Sequence, residues 1–271
     1  MTDVVLVHGA WAGGWVWDTV VGPLRAVGHR PHVVELPGVG RGNDNDNDND
    51  EVVEVVDLDA LVAHVGALVQ GLEGPAVLVG HSGAGVVVTQ VAELMPERVA
   101  GIVFVAGMML PSGTDFGELC AGIGLPADVG ITRWLETSPD GRVTSVPPEA
   151  AVAVFFHDAP AADAIEAARR LRPQVETARL IAPIWTVGRF WGLPRLYVEA
   201  TGDRTVPIEA QRRMQQLTPG ARVVTLDTGH VPQLSAPALL CAALTGFVDE
   251  VATRQRVSRP LVERHTGLTS A

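Results

Sequence analysis

Gly80-His81-Ser82-Gly83-Ala84-Gly85 follows directly on the apolar run Pro75-Ala76-Val77-Leu78-Val79 and leads into Val86-Val87-Val88-Thr89-Gln90-Val91-Ala92-Glu93-Leu94. That order predicts a strand, a tight turn carrying one serine, and a helix. Such a turn lifts the Ser82 hydroxyl out of the backbone at the C-terminal edge of a parallel sheet and sets the next amides at a helix N-terminus. Small residues are needed two places before and two places after the serine, because the strained turn is crowded there. Gly80 and Ala84 meet that need, with alanine where a second glycine is more usual. The segment reads as a nucleophile elbow, and an elbow constrains the chain to parallel strands joined by helices.

The remaining pattern agrees. Strand-like segments fall near 3–7, 30–35, 76–80, 101–106, 195–200 and 221–226, and helical segments near 15–28, 55–71, 84–95, 207–217 and 236–251. Their alternation predicts an α/β fold with a mainly parallel, doubly wound sheet. A chain of 271 residues, 47% of them hydrophobic, suffices for one large domain over residues 1–252. Its core is expected at 1–110 and 191–252, with a small, mostly helical cap inserted at 111–190. The strand-helix rhythm breaks in that insertion, and Phe116, Trp134, Leu135, Phe155, Phe156, Trp185, Phe190 and Trp191 appear. These aromatics serve either the core of the cap or an apolar substrate pocket. Candidate pocket residues are Trp11, Met108, Phe116, Trp134, Phe155, Phe156 and Val231.

Two segments stand outside the pattern. Asn43 to Asp50 alternates asparagine and aspartate, too polar to pack, and is expected to be a flexible loop. It lacks the glycine and glutamate spacing of an EF-hand calcium loop. Residues 253–271 carry Arg254, Arg256, Arg259 and Arg264 without apolar period and are expected to form a solvated tail.

Composition excludes several functions. A net charge of −11 argues against a nucleic-acid partner, which requires a basic face. No stretch approaches the ~18 uninterrupted apolar residues that span a membrane, and the start lacks the basic residues of a secretory leader. A cytoplasmic location is expected, with a second copy of the chain as an allowed partner. Cys120 and Cys241 lie far apart in no ligand-like spacing, which suggests buried free thiols and no zinc site. All 20 basic residues are arginine. A chain without lysine has neither a Schiff-base lysine nor a Walker lysine.

A serine hydroxyl is a poor nucleophile until a base removes its proton, so Ser82 needs a histidine and an orienting acid. Asp203 follows the strand ending at Ala200, and His230 follows the next one. Ser, Asp, His is the chain order of this kind of site, and each residue follows a parallel strand, so the three meet at one sheet edge. Asp227 competes with Asp203 as the acid, and Asp203 is favoured. Of the other histidines, His29, His32 and His64 flank surface turns or helices, His157 lies in the cap and His265 in the tail. After the first strand comes His8-Gly9-Ala10-Trp11-Ala12-Gly13-Gly14-Trp15, where backbone can turn toward developing negative charge. The Ala10 and Gly83 amides are the expected oxyanion hole, with His8 bracing the loop. The glycines of this loop do not make G-x-G-x-x-G, so no nucleotide cofactor is implied.

Taken together, Val7-His8-Gly9-Ala10-Trp11-Ala12-Gly13-Gly14-Trp15-Val16-Trp17, Pro23-Leu24 with Gly28-His29, Gly80-His81-Ser82, Arg170-Leu171-Arg172-Pro173, Thr201-Gly202-Asp203 with Pro207, and His230 resemble an α/β-hydrolase. More narrowly, over residues 3–250 the chain is similar to the plant methylesterase and hydroxynitrile lyase family and its bacterial esterase relatives. That resemblance implies the α/β-hydrolase fold, a compact cap, no cofactor and small carboxylic esters as substrates; with the residues above it points to a serine hydrolase, without a metal, that cleaves a small or medium apolar carboxylic ester through an acyl-enzyme. Lactone or thioester hydrolysis and natural-product tailoring use the same chemistry and stay open. So does a small-molecule receptor built on the same fold. Epoxide hydrolases and dehalogenases of this fold use aspartate at the elbow. In the plant lyases a lysine next to the catalytic histidine and a threonine in the first loop assist the departure of cyanide; here Val231 and Gly9 stand in those places.

Overall fold

The computed structural model describes residues 1–40 and 56–258; the Asn43 to Asp50 run and residues 259–271 lie outside the described residues. In chain order the first half builds β1 (Asp3–Val7), α1 (Asp18–Ala26), β2 (Arg30–Val34), α2 (Leu58–Gly71), β3 (Ala76–His81), α3 (Ala84–Leu94) and β4 (Val99–Val105). An insertion follows with α4 (Phe116–Gly122), β5 (Glu136–Thr137), β6 (Val143–Ser145), α5 (Pro148–Val154), α6 (Ala161–Arg170) and β7 (Gln174–Val175). The chain then returns through β8 (Arg195–Ala200), α7 (Ile208–Leu217), β9 (Arg222–Leu226), α8 (Pro232–Ser235) and α9 (Pro237–Ser258).

Six strands form one sheet in the order β2-β1-β3-β4-β8-β9, every pair parallel. Successive side chains of a strand point to opposite faces, and both faces here are apolar. Val5 and Val7 of β1, Leu78 of β3 and Phe104 of β4 meet α2, α3 and α7. Val4 and Leu6, Val77 and Val79, Val103 and Val105 meet α1 and α9 on the other face. Each such side chain, removed from water, contributes about 1.5–3 kcal/mol. The near-continuous valine runs of β1, β3 and β4 are therefore the mark of strands covered on both sides.

Strand order reverses between β1 and β3, since β2 lies to one side of β1 and β3 to the other. The loops leaving the C-terminal ends of β1 and β3 diverge there and open a crevice. Those two loops are the glycine-rich segment at 8–15 and the serine turn.

The insertion differs from the expectation in one respect. Beside its helices it contains a three-stranded antiparallel sheet, β5-β6-β7. These strands are two or three residues long, too short to show a period of two. The C-terminal helix also runs further than expected, to Ser258 rather than ending near 251. The Arg254 guanidinium pairs with Glu250 one turn back at 2.7 Å, and the Thr253 hydroxyl donates to the Asp249 carbonyl at 2.8 Å.

The returning end of the cap is fastened to α3 by one carboxylate. Glu93, buried, accepts from the Thr186 N–H at 3.0 Å, the Thr186 hydroxyl at 2.8 Å and the Phe190 N–H at 3.1 Å. Burial alone raises a carboxyl pKa, but here the three donors prevail and hold it below the usual glutamate range. Trp185, Phe190 and Trp191 cluster beside this anchor, with Arg195 over two of the rings. Phe190, with Trp185 packed against it, joins the apolar layer that α2, α3 and α7 form over the main sheet. Glu93→Ala, which leaves the donors unmatched, is expected to cost about 1–3 kcal/mol in urea denaturation. Because the folded-state pKa is depressed, the difference from wild type should be full at pH 7 and shrink as pH falls below the ordinary glutamate range.

Candidate active site

β3 delivers Ser82 into a turn in which it adopts φ +54°, a left-handed conformation unusual for a residue with a side chain. Contacts on every side hold it there. The Ser82 N–H donates to the Val105 carbonyl at 3.2 Å, and its own carbonyl accepts from Gly85 at 3.0 Å and Met108 at 2.9 Å. A Cβ on Gly80 would stand 2.8 Å from the Ala84 carbonyl oxygen, and one on Gly85 would stand 2.7 Å from the Met108 backbone. The crowded positions are thus 80 and 85, and the methyl of Ala84 is accommodated. Gly9 in the loop after β1 comes equally close, for its Cβ would lie 2.8 Å from that of Ser82.

Asp203 and His230 arrive from the ends of β8 and β9. Asp203 Oδ1 accepts from the Thr205 and Val206 amides at 2.7 and 2.9 Å, which leaves Oδ2 aimed at His230 Nδ1, 2.7 Å away. A carboxylate only accepts, so Nδ1 carries the proton and Nε2 is left as a base. Asp203 and His230 are both buried, whereas Asp227 is exposed and accepts from the Thr201 hydroxyl at 3.0 Å. The geometry pairs His230 with Asp203.

Two further histidines support the site. His81 donates from Nε2 to the His230 carbonyl at 2.8 Å, and its ring lies 4.9 Å from that of His230. Burial, aided by repulsion from His230, pushes the His81 pKa down to about 3, so it stays neutral. His8 Nδ1 donates to the Gly9 carbonyl at 2.9 Å while Nε2 accepts from the Leu36 N–H at 3.0 Å. Burial likewise lowers its pKa, and it acts as a brace between two loops. His29, expected near the surface, is buried beside α9 with Asp249 3.5 Å away. His157 accepts no role at the centre; its Nδ1 meets the Val154 carbonyl at 3.3 Å.

Ser82 and His230 open onto one cavity of about 240 Å³. Ala10 and Gly83 line it too, and among the described residues neither of their N–H groups donates to a protein acceptor. Of the candidate pocket residues, Trp11, Met108, Phe116, Phe155, Phe156 and Val231 line the cavity, and Phe155 stacks on the His230 ring at 5.5 Å. Trp134 does not. It is 52% exposed, at the end of a turn where the chain leaves for the exposed strand β5, and Ile131 from the same turn faces the cavity instead. Sequence reasoning also missed Gln174 and Arg179, which line the cavity from the segment following Arg172-Pro173. Among the described residues no cluster of His, Cys, Asp or Glu could hold a metal ion, and no helix is long and apolar enough to cross a membrane.

The family described as alpha/beta hydrolase matches residues 4–243. The chain belongs to the alpha/beta hydrolase family. It is 30% identical to a pyrethroid hydrolase of Sphingobium wenxiniae over 98% of this chain and 95% of that one. It is also 30% identical to methylesterase 7 of Arabidopsis thaliana, over 92% and 96%. The crystal structure of a pyrethroid hydrolase from Sphingobium faniae, 30% identical, superimposes with a TM-score of 0.80 over 93% of this chain and 99% of that one. An Arabidopsis methylesterase structure, 21% identical with a TM-score of 0.75, shares the fold.

An alpha/beta hydrolase that works through one histidine should lose activity in acid with the protonation of one group. Here a second imidazole touches the first, but His81 is held neutral down to about 3. The acid limb of log kcat/KM against pH is therefore expected to have a slope of about one. A slope approaching two would show that His81 also takes up a proton there.

Proposed function

We infer that this protein is a serine hydrolase that cleaves small or medium apolar carboxylic esters through an acyl-enzyme. The observation that carries the reading is the Asp203–His230 pair at 2.7 Å, whose imidazole lines the same apolar cavity as the strained Ser82. Ser82 Oγ attacks the ester carbonyl carbon as His230 Nε2 takes its proton. The carbonyl oxygen becomes an oxyanion and accepts from the Ala10 and Gly83 N–H groups, each worth roughly 3 kcal/mol in the transition state. Collapse expels the alcohol, which leaves with the proton from His230. Water then attacks the acyl-serine by the same route and releases the carboxylic acid. Asp203 keeps the imidazole in the tautomer that both steps need.

The substrate class follows from the walls. Trp11, Phe116, Phe155 and Phe156 offer apolar contact. The charged side chains that reach the cavity are already engaged: Asp115 caps α4 and Arg179 is bound twice by Glu176. A neutral, apolar ester fits such a lining better than a charged one. The relatives named for pyrethroids and for methyl esters agree with this class. A cytoplasmic location accords with the two buried free thiols, Cys120 and Cys241.

Ser82→Ala is expected to fold and to lose ester turnover by roughly 10⁶-fold, and Asp203→Asn by about 10⁴-fold, with Asp227→Asn much less affected. A fluorophosphonate should label Ser82 alone; wild-type turnover in Ser82→Ala would remove the reading. Cyanohydrin cleavage is not expected. Val231 offers no positive charge to departing cyanide, and Gly9 leaves no room for a side chain over Ser82. Cyanide release from mandelonitrile should stay at the buffer rate, and release abolished by Ser82→Ala would contradict the assignment.

A further inference from the structure

Trp11, the residue after the Ala10 amide, sits at φ +58°, a conformation that costs an L-residue roughly 1–3 kcal/mol and persists only where neighbours impose it. Its neighbours here come from the cap. The Trp11 carbonyl accepts from the Arg172 N–H at 2.8 Å. The indole Nε1–H donates to Thr144 Oγ1 on β6 at 3.2 Å, and that hydroxyl donates in turn to Glu176. The closest contact is the Trp11 N–H to Gln174 Oε1, 2.6 Å, across 163 residues of chain.

Gln174 is itself fixed. It is buried in β7, paired on one side to Thr144 and bridged on the other to Val39, while the flanking Pro173 carbonyl accepts from Gly40 and the Val175 N–H donates to Gly38. Its backbone is thus locked between the cap sheet and the loop after β2, and its amide oxygen is delivered to one N–H of the first loop. A bond to the Trp11 N–H fixes the Ala10–Trp11 peptide plane and so restricts ψ of Ala10, whose own N–H lies in the preceding peptide and is constrained through the shared Cα. A shift of about 1 Å in such a donor costs a factor on the order of 10² in rate.

We propose that Gln174 is a positioning residue that completes the oxyanion hole, so that a docked cap is required for the chemical step and not only for holding substrate. The inference rests on the reading of the Ala10 N–H as an oxyanion donor. It makes Gln174 act through Trp11 and Ala10, without contact to the reacting atoms. Loss of the acceptor should therefore weaken transition-state binding while leaving ground-state binding nearly intact.

The test compares wild type, Gln174→Met, which keeps the volume and loses the acceptor, and Gln174→Glu, which keeps an acceptor oxygen. Readouts are kcat and KM on a p-nitrophenyl ester, affinity for an aryl trifluoromethyl ketone whose Ser82 adduct places an oxyanion in the hole, and melting temperature. Gln174→Met should lower kcat roughly 10–100-fold, leave KM within about threefold, and weaken the ketone by the same factor as kcat. Gln174→Glu should recover at least about tenfold of the lost kcat. Should Gln174→Met fail to fold, Gln174→Ala takes the same readouts. An unchanged kcat, a loss confined to KM, or a Gln174→Glu as slow as Gln174→Met would overturn the inference. Ser82→Ala run beside them separates the two levels. If Ser82→Ala is inert and Gln174→Met is fully active, the role of Gln174 alone falls; if Ser82→Ala still turns over, the reading of the site falls.

Discussion

The site depends on the close approach of β3, α3 and the segment after β4, which forces Ser82 to a positive φ. Gly80 and Gly85 have no side chains because the Ala84 and Met108 backbones occupy that space. Three hydrogen bonds through the Ser82 peptide groups then hold a conformation that an isolated serine avoids. The strain is sustained by the sheet, whose central strands β1, β3, β4 and β8 are buried throughout between separate apolar layers. Side chains set at the ends of strands in such a sheet are held more firmly than side chains on loops alone.

The cap touches the loop after β1 and the loop after β9. Gln174 and Arg172 hold Trp11 beside Ala10, Asp158 accepts from the Gly229 N–H just before His230, and Phe155 stacks on the His230 ring. A Cβ on Gly229 would stand 2.5 Å from Asp158 Oδ1, so a larger residue there would displace that side chain. The insertion thus supplies part of the apolar wall of the cavity, through Phe116, Ile131, Phe155 and Phe156, and hydrogen bonds that hold the loops carrying Trp11 and His230.

Much of this was legible in the sequence because the signals are local. The elbow announces itself as an apolar run, small residues around a serine, and a helix start; β1, β3 and β4 show as valine runs; Asp203 and His230 follow strands of their own. The parts that escaped depend on contacts between distant segments. Trp134 and Ile131 share one short turn, and only the onward path of the chain toward β5 decides that the tryptophan faces solvent. The cap sheet has strands too short to carry a period, and Gln174 gains its meaning from a residue 163 positions away. His29 looked like the end of a surface turn but is covered by α9, and that helix outlasts its apolar stripe through the Glu250–Arg254 pair.

The central claim is that Ser82 becomes covalently acylated during turnover. A p-nitrophenyl dimethylcarbamate tests it most directly, because a carbamoyl-serine hydrolyses slowly enough to be caught. The account predicts release of one p-nitrophenolate per chain, loss of ester turnover in step with it, and a dimethylcarbamoyl group on the peptide containing Ser82. Full ester turnover in a protein carbamoylated at Ser82, or inactivation with the adduct on another residue, would contradict it.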